Sequence, residues 1–414
     1  MPEDPPAAGA AGAVVASSLV TPIGRLPVRG AELGQPLVLR EAGLAWDEDG
    51  EITYVGPADG LPSANPQVFE GCTIVPGFVD GHTHLPFFGW RADEFEARLA
   101  GATYGDLHGE GGIYRSARLL AEAGDEAVLS FSRSLAQEMA DYGTTSLELK
   151  TGYGLSVEGE VRQARLARRL AEEAPQTCTV TLLACHAVPK GTSRADWVRA
   201  VCDELIPAAA AQRLADTVDV YVEDIAFTVD DLRAVAEATV AAGLPLRCHA
   251  DQLGPSGAAE AAVALGARSA DHLNYTSAEG IDALGAGDTV AFLLPASTFL
   301  LRGTPPPVRA MIAAGAPIAL ASDLNPGTSP VLSMPDVTAF GCSLYGLSPH
   351  EALTAATLNP AWVLGLADVS GTLEPGKRAD FLVLDVEAFR QVPYRPGHNP
   401  VVHTYIAGRR VGGR

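Results

Sequence analysis

Eight short β-rich runs alternate with eight Ala/Leu/Arg/Glu-rich stretches of helical spacing, and further β-rich segments lie before and after them. The sequence therefore predicts an α/β protein: a (β/α)8 TIM-like barrel with a small β-sandwich formed by the N- and C-terminal segments. A third observation supports closure into a barrel. The first run of the alternation ends in His82-Thr83-His84, where an open doubly wound sheet would usually carry a Gly-rich nucleotide loop.

The predicted strands are Ile74–His82, Thr144–Lys150, Thr179–His186, Thr217–Glu223, Leu244–Ala250, Ser269–His272, Thr289–Leu294 and Ile318–Asp323. The helical stretches that follow them are Asp125–Tyr142, Glu158–Glu173, Arg194–Leu214, Thr228–Ala242, Ala258–Leu265, Ser277–Leu284, Pro306–Ala314 and Pro349–Leu364. The ends differ. Residues 12–73 read as short strands with turns at Asp47-Glu48-Asp49-Gly50 and Gly56-Pro57, and Phe381–Leu384 and Val402–Ala407 read likewise. Residues 1–73 and 366–414 are thus expected to form the sandwich around a barrel of residues 74–365.

Composition narrows the function. Apolar residues make up 47% of 414, enough for a large core, and charged residues only 19%, which argues against disorder. A net charge of −21 repels phosphate backbones, so nucleic acid is not an expected partner. An anionic substrate would need a local cationic anchor. No run approaches the roughly 20 apolar residues of a membrane span. Ala7–Val20 is flanked by Glu3 and Asp4 rather than by cations, unlike a signal peptide. Six cysteines without a CxxC pair fit reduced thiols in a cytoplasmic protein.

Five of the nine histidines (His82, His84, His186, His249 and His272) fall at predicted strand ends, and Asp323 ends the eighth strand. Strand C-termini face the mouth of a parallel barrel, so these residues should converge. His82 and His84, two apart on a strand, share a face. An isolated strand-end His is more often a hydrogen-bonded core residue, and an isolated Asp more often a helix cap. Jointly, His82, His84, His249 and Asp323 suit one divalent metal ion, zinc or iron. Such an ion lowers the pKa of water on it to about 7, and a neighbouring Asp can take the proton. His108, His350, His398 and His403 lie outside the pattern.

The run Val75-Pro-Gly-Phe-Val-Asp-Gly-His-Thr-His-Leu85 resembles the entry strand of the amidohydrolase superfamily, and Gly371–Asp380 resembles its return into the sandwich domain. Within it the likeness is greatest to the imidazolonepropionase family, on Gly143-Thr-Thr145, Glu148–Leu155, His186-Ala-Val-Pro189, His249-Ala-Asp-Gln252, Ser269–His272 and Asp323–Thr328. That resemblance implies hydrolysis of the cyclic amide of 4-imidazolone-5-propanoate, a small anionic heterocycle, to N-formimidoyl-L-glutamate in histidine degradation. It implies that Arg91 pairs with the propionate, that Tyr104, Tyr153, Gln252, Asn325, Gly327 and Thr328 contact substrate, and that His186 lies near the ring carbonyl and stabilises a developing oxyanion. His272, Asp323 and His186 are then the catalytic set. Gln252 stands where some relatives carry Glu and cannot transfer a proton. Trp90 and the run Tyr221–Ile225 also depart from the family's usual pattern. Some superfamily members carbamylate a strand lysine; for Lys150 an ion pair with a nearby carboxylate is the expectation. A homodimer is a further expectation. The competing readings are a deaminase of a cyclic amidine or nucleobase and, behind it, a non-catalytic scaffold protein.

Overall fold

The computed structural model describes residues 11–102 and 111–414. Eight parallel strands form the central sheet in sequence order: β5 (Phe78–Asp80), β6 (Thr144–Lys150), β7 (Thr177–Cys185), β8 (Thr217–Val222), β9 (Leu246–Ala250), β10 (Ser269–His272), β11 (Val290–Leu293) and β12 (Ile318–Leu320). A parallel bridge between Thr83 and Leu324, with His84 N donating to Leu324 O at 2.8 Å, joins the last strand's exit to the first. Helices surround the sheet, as the alternation predicts.

The strands show why their sequences read as they do. In β6 every residue is buried, yet Ser146, Glu148 and Lys150 alternate with Leu147 and Leu149. Period-two alternation sends the polar set to the barrel interior and the leucines outward. There Leu147 and Leu149 join one apolar cluster with Leu166 and Leu170 of the helix Val157–Glu173. In β9, Arg247 and His249 face inward while Leu246, Cys248 and Ala250 pack outward with the surrounding helices.

The strand read as Ile74–His82 is divided. Its first part belongs to β4 (Gln67–Pro76) of a second sheet, and its continuation is β5. Gly77 is the joint: a Cβ there would lie 2.1 Å from Thr145 Oγ1. The second sheet has seven strands, with β1 (Gly12–Thr21), β2 (Leu37–Trp46) and β3 (Ile52–Pro57) from the N-terminal side and β13 (Phe381–Leu384), β14 (Val401–Ile406) and β15 (Arg409–Gly412) from the C-terminal side. β13 pairs with β4, so both ends of the chain share one continuous sheet and one apolar core containing Trp46, Phe381 and Tyr405.

Several local expectations change. Gly56-Pro57 ends β3, and the turn follows at Ala58–Gly60. The stretch Arg194–Leu214 contains a π turn at Val201–Leu205, and Pro349–Leu364 is two helices, Pro349–Ala355 and Leu358–Val363. Five α-helices among the described residues went unread: Ala92–Leu99, Gly112–Glu122, Pro295–Leu301, Met334–Tyr345 and the single turn Gln391–Tyr394. The first two lie in the long connection from β5 to β6, where no strand signal frames them. None of the six cysteines is disulfide-bonded. No helix among the described residues is long and apolar enough to cross a membrane.

Candidate active site

The exits of β5, β9, β10 and β12 bring His82, His84, His249, His272 and Asp323 together. Ring centroids of His82 and His249 are 4.5 Å apart, those of His82 and His84 5.5 Å, and those of His249 and His272 5.3 Å. Asp323 Oδ1 lies 3.3 Å from His84 Nε2 and 3.8 Å from His82 Nε2. Ligating atoms of His82, His84 and Asp323 fall within 4.8 Å of one another, and so do those of His82, His249 and His272.

Two of these side chains depend on unusual backbone. Asp271 of β10 faces the interior, so alternation would send His272 outward. Its φ of 79° turns it back. Asp323 lies past the end of β12 with φ 55°. Left-handed backbone is sparsely populated by non-glycine residues and costs free energy, so the surrounding packing must impose it.

The donor set fits a cation. Among the described residues, His82 Nε2 and His249 Nε2 are buried without a hydrogen-bond partner. Their opposite nitrogens are held by carboxylates: His82 Nδ1 at 2.6 Å from Asp271 Oδ2, and His249 Nδ1 at 3.1 Å from Asp219 Oδ1. A carboxylate can only accept, so each Nδ1 carries the proton and each Nε2 keeps its lone pair toward the cluster. Burial, and then neighbouring cations and imidazoles, hold His82, His84 and His186 well below the usual imidazole range. Burial likewise lowers His272 to about 3. These four imidazoles are therefore neutral and keep a lone pair. Burial pushes the Asp323 carboxyl upward, which suits a proton acceptor.

Around this cluster the remaining expected residues take distinct places. Arg91 is 3% exposed, and its Nε and Nη1 have no hydrogen-bond partner among the described residues. Glu94 Oε2 is 3.8 Å from Nε. Arg91, Tyr153, His186, Gln252, Asn325 and Thr328 line the same cavity as the cluster, about 30 Å³ in volume. A volume of that size has room for water alone, so lining side chains must move to admit a substrate. The larger cavity of about 310 Å³ beside it, lined by Gln252, Asn274, Ser297 and Arg98, contains none of the expected metal ligands.

Three of the expected residues also make contacts within the protein. Asn325 Oδ1 accepts from Gly327 N, Thr328 N and Thr328 Oγ1, while its Nδ2 donates to Asp323 O at 2.8 Å. Its amide organises the loop that positions Asp323. Gly327 packs against Arg91, where a Cβ would lie 2.0 Å from Nη2. His186 Nδ1 is 3.2 Å from Gly152 O, an atom that only accepts. The single proton of neutral His186 is thus on Nδ1, and Nε2 offers a lone pair. A lone pair there can accept from a ring N–H.

Tyr104 and His108 lie outside the described residues. His350, His398 and His403 line no part of this cavity, and His398 sits 3.3 Å from Asp385. Lys150 forms the expected ion pairs, at 2.9 Å to Glu148 and 2.8 Å to Asp219. Sequence reasoning missed Tyr221, whose buried ring meets His186 and His249 edge-on at 5.9 and 5.7 Å, and the carboxylates of Asp219 and Asp271. Their signal was present: each is a polar residue at an inward position of a predicted barrel strand.

A parallel barrel with imidazoles and a carboxylate at its mouth is the arrangement of an amidohydrolase, and the amidohydrolase family pattern matches residues 73–411. Solved structures agree on the fold. An adenosine deaminase from Xanthomonas campestris with bound zinc superposes with a TM-score of 0.69 at 19% identity, covering 97% of this chain and 92% of that one. A triazine hydrolase variant reaches a TM-score of 0.74 at 14% identity, covering 97% and 95%. Sequence relatives are nearer: the imidazolonepropionase of Rhizorhabdus wittichii is 42% identical over 90% of this chain and 95% of its own length, and that of Geobacillus kaustophilus 40% over 90% of each. The chain belongs to the imidazolonepropionase family of the amidohydrolases.

Proposed function

We propose that the protein hydrolyses the ring amide of 4-imidazolone-5-propanoate to N-formimidoyl-L-glutamate, the reaction of histidine degradation. The observation that carries this is Arg91, a buried guanidinium in the cavity wall with two nitrogens that find no hydrogen-bond partner among the described residues. A buried, incompletely paired cation calls for an anion. A neutral nucleobase supplies none, and Gln252 is where a deaminase would carry its proton-shuttling Glu. Both points favour ring opening over deamination.

His82, His84, His249 and Asp323 would hold one divalent ion, zinc or iron. When bound, that ion polarises the amide carbonyl and makes water acidic enough to attack at neutral pH. Arg91, with Tyr153, holds the propionate and places the ring over the imidazoles. His186 Nε2 accepts the ring N–H. Asp323 takes the proton as the water oxygen bonds to the carbonyl carbon. His272 passes that proton to the departing ring nitrogen as the carbon–nitrogen bond breaks. One water is consumed, a carboxylate forms and no ammonia leaves. The unpaired cysteines fit a reducing compartment such as the cytoplasm.

An absorbance assay with freshly made imidazolone propionate, run beside cytosine and guanine, tests the substrate. Ring opening without ammonia is the expected result, and ammonia release would favour the deaminase. His249→Ala should abolish both metal content and ring opening. Full activity in a metal-free His249→Ala protein would sink the scheme.

A further inference from the structure

Beneath the imidazoles lies a set of charged side chains that the reaction does not use. Glu148 and Lys150 come from β6, Asp219 from β8, Arg247 from β9 and Asp271 from β10, and none is more than 1% exposed. They form one chain of contacts. Arg247 Nη2 donates to Asp271 Oδ2 at 2.6 Å, and Nη1 to Glu148 Oε1 and to Gly81 O. Lys150 Nζ donates to Glu148 Oε1 at 2.9 Å and to Asp219 Oδ2 at 2.8 Å. Thr181 Oγ1 also donates to Glu148 Oε1. The two ends of this chain, Asp271 and Asp219, are the carboxylates on His82 Nδ1 and His249 Nδ1.

We propose that Glu148 is a positioning residue for the metal site: the shared anchor of two arms, Arg247–Asp271 and Lys150–Asp219, that set the tautomer and aim of His82 and His249 together. The physical case has three parts. A charge in this dry interior is tolerable only when paired, so each histidine-holding carboxylate needs its own cation. Both cations are aimed by the same Glu148 carboxylate, which makes the two arms interdependent. Three carboxylates against two cations also leave the network net negative, which favours a cation beside it. The inference rests on the metal reading above.

Glu148→Gln keeps the shape and removes the shared negative charge. Outer-sphere partners of metal ligands are typically worth about 10- to 100-fold in metal affinity. Zinc affinity, measured by chelator competition on folded protein, should fall within that range, and the visible spectrum of the cobalt(II)-loaded variant should change from wild type. A Glu148→Gln protein that unfolds more easily but keeps wild-type zinc affinity and cobalt spectrum would have lost only packing, and the proposal would be overturned. Should that variant not fold, Thr181→Val removes a single hydrogen bond to Glu148 and must still weaken zinc binding by a few-fold; unchanged affinity overturns the proposal equally. Because the arms act through one anchor, Asp219→Asn should cost less affinity in the Glu148→Gln background than in wild type. A wild-type protein that never retains zinc or iron would instead refute the metal reading itself.

Discussion

Arg91 and Gly327 are best understood as a pair. The guanidinium is held at the cavity wall because residue 327 has no side chain, and a single methyl there would overlap Nη2. Arg91→Lys replaces a planar fork with a point charge. Losing one charge-assisted hydrogen bond of about 1.5–3 kcal/mol should raise KM roughly 10- to 100-fold, with kcat changing less. Gly327→Ala should move KM in the same direction by displacing the fork, and steady-state kinetics of both variants checks this. Glu223 makes a different kind of prediction. Burial pushes its carboxyl to about 7 from an ordinary 4.5, while its Oε1 accepts from Gln252 N and Leu253 N. A raised folded-state value means that its contribution to stability is complete below pH 4.5 and is lost as pH rises toward 7. In metal-free protein, Glu223→Gln should flatten that decline by at most about 3 kcal/mol. Urea midpoints at both ends of the window decide it, and parallel pH curves for variant and wild type would contradict it. Arg91 is legible in the sequence only through resemblance. Its burial and its seat against Gly327 depend on a loop more than 200 positions away, which no local pattern records.

The helix Val157–Glu173 shows how an element outside the cavity shapes it. Glu160, fully buried, accepts from Gly152 N at 3.0 Å, Gly154 N at 2.7 Å and Leu155 N at 3.1 Å. Gln163, one turn further on, accepts from Tyr153 N and donates to Pro86 O. One helix end therefore pins the tyrosine loop and ties it to the exit of β5. Glu160→Ala would leave three backbone donors unsatisfied and should cost about 3 kcal/mol or more. It should also raise KM, since Tyr153 would no longer be held over the site. Thermal unfolding and kinetics together check this, and a stability loss without a KM change would assign Glu160 to packing alone. At this scale the apolar periodicity of the helix was readable in advance. Its inward Glu and Gln were not, because a charged residue on a helix reads as a solvated face until the loop it serves is in view. The division of Ile74–His82 at Gly77 was hidden for a similar reason: two sheets meet there, and a continuous apolar run does not say which sheet takes which half.

For the molecule as a whole, the proposed ligands come from opposite sides of the barrel, and an ion binding all of them would stabilise the closed sheet. Zinc at about 1,000 times its dissociation constant should add about 4 kcal/mol over the metal-free protein. Calorimetry with and without chelator measures this, and an unchanged midpoint would argue that the cluster holds no ion. The sequence by itself determined the eightfold alternation, the strand ends that carry the histidines, and the β-rich segments at both termini, because side-chain periodicity is a local property of the chain. Tertiary structure alone decided the rest. It joined the two termini into one sheet through β13 and β4, and it turned His272 and Asp323 inward by left-handed backbone. It also made Glu148, Arg247 and Lys150 a single network beneath the proposed ligands. Each of these outcomes depends on contacts between residues distant in sequence, whose free energy exists only once the barrel has closed around them.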